Sequence, residues 1–194
     1  ENPGDYKAFR IVDEPIIVCR DKDDNLNAYR NVCRHRGVEV AVGQGNVKNF
    51  TCPYHAWEYD LNGRLLRATY PEDIKGFDLA TCRLPSVQLE TWAGFVFINL
   101  DLDAPSLRES QGDILQECEF LNLQDMREAR TCIIEPACNW KLIGENVWDI
   151  YHLGVVHANT FAKDFNPRDF KFHSMPRGAF YGNYRSQSVG RPDG

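Results

Sequence analysis

The sequence predicts an α+β protein in which a small antiparallel β domain precedes a helical connector and the beginning of a second domain. Short β-branched and apolar segments separated by turn residues run as far as Phe97. After Pro105 the apolar residues instead follow helical spacing, and they do so again over residues 139–154. We therefore expect domains at residues 1–105 and 133–194, joined by a connector at 106–132.

The β domain is predicted from short strands at residues 10–12, 15–19, 27–32, 50–51, 57–61, 64–67, 87–90 and 94–99. Asn62-Gly63 separates two of these strands, and Asn-Gly is a strong signal for a tight hairpin. Strands this short and frequent favour a small sandwich or barrel.

The second half is predicted to be mainly helical. Residues 106–130 have the apolar spacing of one or two amphipathic helices, and residues 131–135 have the composition of a strand. Residues 139–154 are predicted to form one helix, because Trp140, Ile143, Val147, Ile150 and Tyr151 recur at steps of three and four.

The composition excludes several classes of protein. The chain has 194 residues, of which 43% are hydrophobic and 26% charged, and its formal net charge is −6. These values are typical of a globular domain, and the negative charge argues against general nucleic-acid binding. The longest apolar run, residues 93–100, is broken only by Asn99 and is far shorter than the roughly 20 residues of a membrane-spanning helix. We expect a cytoplasmic protein with no membrane or nucleic-acid partner.

Two short motifs in the β domain carry metal-binding residue types. Cys33 and His35 are two positions apart, and Cys52 and His55 are three apart. Two thiolates and two imidazoles can form a tetrahedral zinc site or a Rieske [2Fe–2S] centre. Each motif supplies one thiolate and one imidazole, which favours a two-iron cluster with a sulfur end and a nitrogen end. Zinc ligation and unrelated core residues remain the alternatives.

The motifs resemble those of a known family, the Rieske non-haem iron, or ring-hydroxylating, oxygenases. The resemblance is carried by Asn31-Val-Cys33-Arg-His35-Arg-Gly37, by Thr51-Cys52-Pro-Tyr-His55-Ala-Trp57-Glu-Tyr-Asp60, and by Ala93-Gly-Phe-Val-Phe-Ile-Asn-Leu-Asp101. It implies an all-β Rieske domain whose cluster ligands are Cys33, His35, Cys52 and His55. It also implies that a helix-grip catalytic domain, an antiparallel sheet with helices, begins in the second half.

The resemblance also indicates the redox class of the cluster. Respiratory Rieske proteins have a disulfide between the two loops, at the positions of Val38 and Tyr54 here, and a serine hydroxyl where Trp57 stands. Hydrogen bonds to the sulfurs raise the potential of such clusters. Because Val38, Tyr54 and Trp57 replace the two cysteines and the serine, we expect a cluster of low reduction potential.

A second constellation follows in the predicted helix at 139–154. Asp149 and His152 are three apart and so share a helix face, and His157 lies beyond Gly154. The family resemblance implies that His152 and His157 ligate a mononuclear iron, as part of a 2-His-1-carboxylate triad. The carboxylate ligand of the family lies further along the chain, and no residue here matches it.

Further roles are implied by the same resemblance or by position. Asp149 would bridge a Rieske histidine of one subunit and an iron-ligating histidine of the next, which makes it part of the electron route. Asn146, Val155 and Phe161 flank the iron motif and are candidates for the substrate pocket.

The resemblance implies the α subunit of a Rieske oxygenase, of which this chain would be a fragment. Such an enzyme hydroxylates, dihydroxylates or oxidatively demethylates a small organic substrate with O₂. Electrons from NAD(P)H would arrive through a ferredoxin or flavin reductase, and the oligomer would be a trimer or based on trimers. The alternative function is that of a Rieske ferredoxin-like electron carrier, and the residues do not identify the substrate.

Overall fold

The computed structural model describes residues 2–73 and 75–160, together with the backbone of strands at residues 170–174 and 180–184. The chain divides into two compact units, Glu1–Ser106 and Leu107–Gly194. None of the described helices has both the length and the apolar character that crossing a bilayer requires.

The first unit consists of antiparallel strands, as predicted. One sheet has the order β3-β2-β1-β4, formed by β1 (Asp5–Ile11), β2 (Glu14–Arg20), β3 (Leu26–Arg30) and β4 (Gln44–Asn46). A second sheet has the order β5-β6-β7, formed by β5 (Phe50–Thr51), β6 (Glu58–Tyr59) and β7 (Leu65–Arg67). Strands β8 (Gln88–Trp92) and β9 (Phe95–Asn99) form a separate hairpin. The predicted Asn-Gly hairpin is confirmed between β6 and β7, where Gly63 has a φ of +75°.

The core of this unit contains the two motif cysteines. Ile16 and Ile17 are adjacent on β2 and are both fully buried, although adjacent residues of a strand face opposite sides of the sheet. Ile17 packs in the larger cluster, which also holds Cys33 and Cys52. Ile16 belongs to a smaller separate cluster with Ala28 and Val87. Both faces of the sheet are therefore covered at β2.

The second unit begins with short helical turns. The apolar spacing of residues 106–130 predicts one or two amphipathic helices, and the observed segments are shorter than that prediction. They are α1 (Leu107–Gln111), α2 (Ile114–Glu117) and two 3₁₀ turns at Glu119–Leu121 and Leu123–Asp125. Gly112 and Asn122 lie between them with φ values of +56° and +46°. A left-handed residue ends a helix, and these two residues therefore limit each segment to one or two turns.

The predicted strand at residues 131–135 is wrong. These residues form neither strand nor helix, and Ile133 and Ile134 are 81% and 78% exposed. A strand requires a hydrogen-bonded neighbour, and no described strand pairs with this segment. β-Branched composition alone is insufficient.

The predicted single helix at 139–154 is also wrong, because it is interrupted. Helix α3 (Trp140–Trp148) is capped by Asn139, whose side-chain oxygen accepts the Lys141 N–H at 3.0 Å. The helix ends at Asp149, and a 3₁₀ turn (Ile150–His152) and α4 (Leu153–Val156) follow. Further along the chain, β10 (Phe170–Ser174) pairs with β11 (Phe180–Tyr184).

Candidate metal centres

The two motifs lie on loops with the same backbone hydrogen-bond pattern. In each loop the cysteine N–H donates to the carbonyl five residues further on, at 2.8 Å for both Cys33 and Cys52. The N–H four residues further on donates back to the cysteine carbonyl, at 2.9 Å in the first loop and 3.0 Å in the second. Gly37 and Ala56 occupy that fourth position with φ values of +77° and +55°. Each loop thus turns back sharply beyond its histidine.

The sulfur atoms lie inside the domain. Cys33 and Cys52 are 2% and 3% exposed. Burial, together with the adjacent Cys33 thiol, raises the pKa of Cys52 above its ordinary value, although two backbone N–H groups oppose that shift. The raised pKa means that the Cys52 thiol resists ionisation on its own, and a bound metal ion supplies the positive charge that stabilises a thiolate.

The Tyr59 hydroxyl, from β6, contacts the first of these sulfurs. Its oxygen lies 3.3 Å from Cys33 Sγ and accepts the Arg34 N–H at 3.0 Å. Burial raises the pKa of Tyr59 well above its ordinary value, so the hydroxyl keeps its proton. This residue was not predicted from the sequence, although Tyr59 follows Trp57 at the two-residue spacing of side chains that share a strand face.

The imidazoles lie closer to the surface. The ring centroids of His35 and His55 are 4.6 Å apart, and His35 stacks on the buried indole of Trp57 with a centroid distance of 4.8 Å. Partial burial, and then His55 and Arg36, lower the pKa of His35, which favours the neutral form that binds metals. The His55 Nδ1 atom is buried, and no described residue provides a hydrogen-bond partner for it. The backbone of His55 is held by Thr69, whose hydroxyl donates to its carbonyl at 2.6 Å and was not predicted from the sequence.

This donor set fits a two-iron cluster better than a single ion. Within the described part of the chain, no three histidine, cysteine, aspartate or glutamate side chains are arranged to hold one metal ion. A tetrahedral zinc site needs four ligands around one centre. A Rieske cluster needs only two ligands at each iron, thiolates at one and imidazoles at the other. The buried thiols and the more exposed imidazoles have that separation.

The second candidate centre lies around the break after α3. The rings of His152 and His157 have centroids 5.4 Å apart. The Asp149 Oδ2 atom lies 3.7 Å from His152 Nδ1, which is buried and has no hydrogen-bond partner among the residues that the structure describes. The other carboxylate oxygen accepts the Tyr151 N–H at 3.1 Å. The two adjacent imidazoles, with the orphaned nitrogen of His152, fit part of an iron site, and Asp149 stands beside them rather than completing a three-ligand group.

The structure gives less support for the residues predicted to line a substrate pocket than for the histidine pair. Asn146 on α3 and Val155 on α4 are both exposed. Phe161 lies outside the described residues. The assignment of these three residues to a substrate pocket therefore stays a prediction.

Comparison with known proteins supports the two cofactors expected from the sequence. The Rieske [2Fe-2S] domain family matches residues 1–78, and the ring-hydroxylating alpha subunit (catalytic domain) family matches residues 123–192. These two domains imply a Rieske cluster and a mononuclear iron as cofactors, as expected from the sequence motifs.

Curated relatives are oxygenase subunits. The carnitine monooxygenase oxygenase subunit of Escherichia coli (strain K12) is 38% identical over 161 residues, which are 80% of this chain and 42% of the relative. The 2-aminobenzenesulfonate 2,3-dioxygenase subunit alpha of an Alcaligenes species is 35% identical over 192 residues, 94% of this chain and 48% of the relative. The chain thus spans less than half the length of these relatives.

Solved structures give the same result. A crystal structure of the quaternary ammonium Rieske monooxygenase CntA, with an inhibitor, superimposes with a TM-score of 0.77 at 32% identity, over 89% of this chain and 49% of the other. A naphthalene 1,2-dioxygenase structure superimposes with a TM-score of 0.64 at 32% identity, over 81% and 37%. The chain belongs to the Rieske non-haem iron oxygenases, and it comprises a Rieske domain and part of the catalytic domain of their large, or α, subunit.

Proposed function

We propose that the chain relays electrons to, and helps to bind, the mononuclear iron of an oxygenase that acts on a small organic substrate. The observation that carries this proposal is the presence of two separate donor sets in one chain. An electron carrier of the Rieske ferredoxin type needs only the set at Cys33, His35, Cys52 and His55. The His152–His157 pair, with Asp149 beside it, has no role in such a carrier.

The cluster ligands in this proposal are Cys33 and Cys52 at one iron and His35 and His55 at the other. The cluster, when bound, accepts and delivers one electron at a time. The chain contributes the environment: the core excludes water from the thiolates, Trp57 fixes the ring plane of His35 by stacking, and the Tyr59 hydroxyl lies 3.3 Å from Cys33 Sγ, where it can donate to a ligand thiolate. The two matching loops present the imidazoles toward the surface.

The iron ligands in the proposal are His152 and His157, with a carboxylate from elsewhere in the full-length protein. Iron, when bound there, activates O₂ beside the substrate. Asp149 orients His152 through the proximity of Oδ2 to Nδ1, since a carboxylate next to a ligating imidazole fixes its tautomer and ring orientation. The Asp149 side chain is 54% exposed, which leaves room for a Rieske histidine of a neighbouring subunit.

The electron donor is proposed to be a ferredoxin or flavin reductase with an acidic docking face, itself supplied by NAD(P)H. Exposed Arg34 and Arg36 flank His35, and in the described part of the chain no carboxylate forms an ion pair with either. Arg30 and Arg67, by contrast, pair with Glu14 and Glu58. Unpaired arginines around the imidazoles of an otherwise acidic chain would steer an acidic partner there. We propose a trimer, or a trimer-based oligomer, as the assembly.

The substrate is proposed from the relatives alone. Similar proteins are named for carnitine, glycine betaine, chlorobenzene and 2-aminobenzenesulfonate. A panel of these four compounds, assayed with the full-length protein and a reductase, separates demethylation or monooxygenation of a quaternary ammonium compound from dioxygenation of an aromatic ring.

Metal analysis of ligand variants tests the proposal. The anaerobically purified full-length protein should contain iron and acid-labile sulfide and give a rhombic electron-paramagnetic signal after reduction. His35→Cys should abolish the Rieske signal. His152→Ala should keep that signal and lose the mononuclear iron and substrate oxidation. One zinc per chain without iron would overturn the proposal. A wild-type protein that gives the Rieske signal but has neither mononuclear iron nor substrate oxidation would favour the electron carrier, and unchanged iron content and oxidation in His152→Ala would show that His152 is not an iron ligand.

A further inference from the structure

The two ligand loops have matching turns but are closed at their bases in different ways. The second loop leaves β5 and returns along β6, and the backbone ladder of these strands pairs Phe50 with Tyr59 and Thr51 with Glu58. The first loop follows β3, but its returning residues 39–41 belong to no strand. The first loop therefore needs another means of holding its two ends together.

The side chain of Asn31 supplies the missing bonds. Its Oδ1 atom accepts the N–H groups of Val40, at 2.8 Å, and Ala41, at 3.1 Å, and its Nδ2 atom donates to the Ala41 carbonyl at 2.7 Å. Asn31 is 1% exposed, and its own N–H donates to the Pro15 carbonyl at 2.8 Å. One carboxamide thus makes the bonds that a neighbouring strand makes in the second loop.

The loop has no evident substitute for this contact in the described part of the chain. Val40 and Ala41 are both buried, so their N–H groups would be left without an acceptor if the Asn31 side chain were removed. Buried unpaired donors are costly, and the segment would shift to find other partners. Because Cys33 and His35 lie between Asn31 and Val40, that shift would move both residues.

We propose that Asn31 is a positioning residue for the metal centre: its carboxamide replaces a strand ladder and fixes Cys33 and His35 against Cys52 and His55. This inference rests on the proposed function, in which these four residues ligate the cluster. Within the described part of the chain, the hydrogen bonds of the Asn31 side chain go to loop residues 39–41 and not to Cys33 or His35, so Asn31 acts through the loop. Outer residues that hold ligands in place typically affect metal affinity about 10–100-fold.

The test compares three variants of the full-length holoprotein. Asn31→Ala removes the carboxamide. Asn46→Ala removes another asparagine side chain, which makes two hydrogen bonds, to Pro3 and Asp5. Asn46 is exposed and lies on β4, at the edge of the sheet that contains β3. Ile16→Val makes a small cavity in the separate core cluster and so lowers general stability away from the ligand loops. The measurements are the rate of cluster bleaching in excess chelator, the g values of the reduced cluster, and the melting temperature.

We expect Asn31→Ala to bleach about 10-fold faster or more than wild type, with shifted or broadened g values. Asn46→Ala and Ile16→Val should keep the wild-type bleaching rate and g values, even where the melting temperature falls. If Asn31→Ala does not fold, Asn31→Ser takes its place. Wild-type bleaching and g values in the Asn31 variant, or equally fast bleaching in Ile16→Val, would overturn the inference. A wild-type protein without a [2Fe–2S] cluster would instead overturn the proposed function.

Discussion

The Tyr59 hydroxyl lies 3.3 Å from Cys33 Sγ, and it is free to donate its proton to that sulfur because its oxygen already accepts the Arg34 N–H. A ligand thiolate that receives a hydrogen bond donates less negative charge to its iron, which makes the reduced cluster more stable. A side chain of β6, in the second sheet, therefore influences the reduction potential through a ligand on the first loop.

Tyr59→Phe should lower the midpoint potential of the cluster while the cluster stays bound. The expected change is tens of millivolts, since a tenfold change in a one-electron equilibrium corresponds to about 59 mV. Redox titration followed by electron-paramagnetic resonance measures it. Tyr6→Phe is the matched control, because Tyr6 packs against the core cluster that contains Tyr59, through the ring of Phe50, but its hydroxyl donates to the Val42 carbonyl. An equal change in both variants would contradict the assigned bond.

The wild-type potential should nevertheless lie at the low end of the Rieske range, near about −150 mV rather than +300 mV. All seven cysteines are free, so no disulfide links the two loops, and Trp57 provides no hydroxyl beside the sulfurs. The Tyr59 hydroxyl is a single donor to one cysteine ligand. A midpoint well above zero in the same titration would show that the missing disulfide and serine do not control the potential.

Gly63 should tolerate substitution less well than Gly76, although both have a φ of +75°. Alanine costs about 1–2 kcal/mol in this left-handed conformation at either position. A Cβ atom at Gly63 would also come within 2.6 Å of the Tyr29 ring, whereas nothing lies within 4 Å at Gly76. Overpacking typically adds about 1–3 kcal/mol. Denaturant unfolding of Gly63→Ala and Gly76→Ala measures the difference, and equal losses would contradict the close contact.

Cys19 should resist alkylation in the folded protein. It is buried, its thiol donates to the Leu61 carbonyl at 3.4 Å, and burial, with smaller contributions from Asp21 and Asp60, raises its pKa to about 12. In the unfolded protein the pKa of Cys19 is about 8.5. The contribution of this residue to the free energy of unfolding therefore falls as the pH rises from about 8.5 toward the pKa of the folded state. Mass spectrometry after iodoacetamide treatment at about pH 8, just below that unfolded pKa, should find Cys19 modified only when the protein is first unfolded. Rapid modification of native protein would contradict its burial.

Local patterns predicted the parts of the molecule that depend on neighbouring residues. The Asn62-Gly63 hairpin is confirmed: the Asp60 N–H donates to the Arg64 carbonyl across the turn, and Gly63 adopts the left-handed conformation that glycine tolerates readily. The motif spacing likewise predicted two loops that each carry one cysteine and one histidine. Residues whose role depends on distant partners were not found, since nothing in the local pattern shows that the Asn31 carboxamide meets Ala41 or that Tyr59 meets Cys33.

The break in the predicted helix has a local cause that periodicity does not detect. The apolar spacing continues through Ile150, but the Asp149 carboxylate accepts the Tyr151 N–H and so competes with the helical backbone bonds. Asp149 consequently has a ψ of 88° and stands at the junction of two helical segments. Its proximity to His152 therefore arises from this turn rather than from a shared face of one continuous helix.

Asp149→Asn tests the proposed electron route most directly. The substitution keeps the size of the side chain and removes its charge, and Glu145→Gln on α3 is the matched control for loss of an exposed carboxylate. In full-length Asp149→Asn both metal centres should stay loaded, and the cluster should still be reduced by its donor. Single-turnover oxidation of the reduced cluster, with substrate and O₂, should slow about 10–100-fold while the control keeps the wild-type rate. Loss of the mononuclear iron would instead make Asp149 a ligand, and an unchanged rate would show that it is not part of the route.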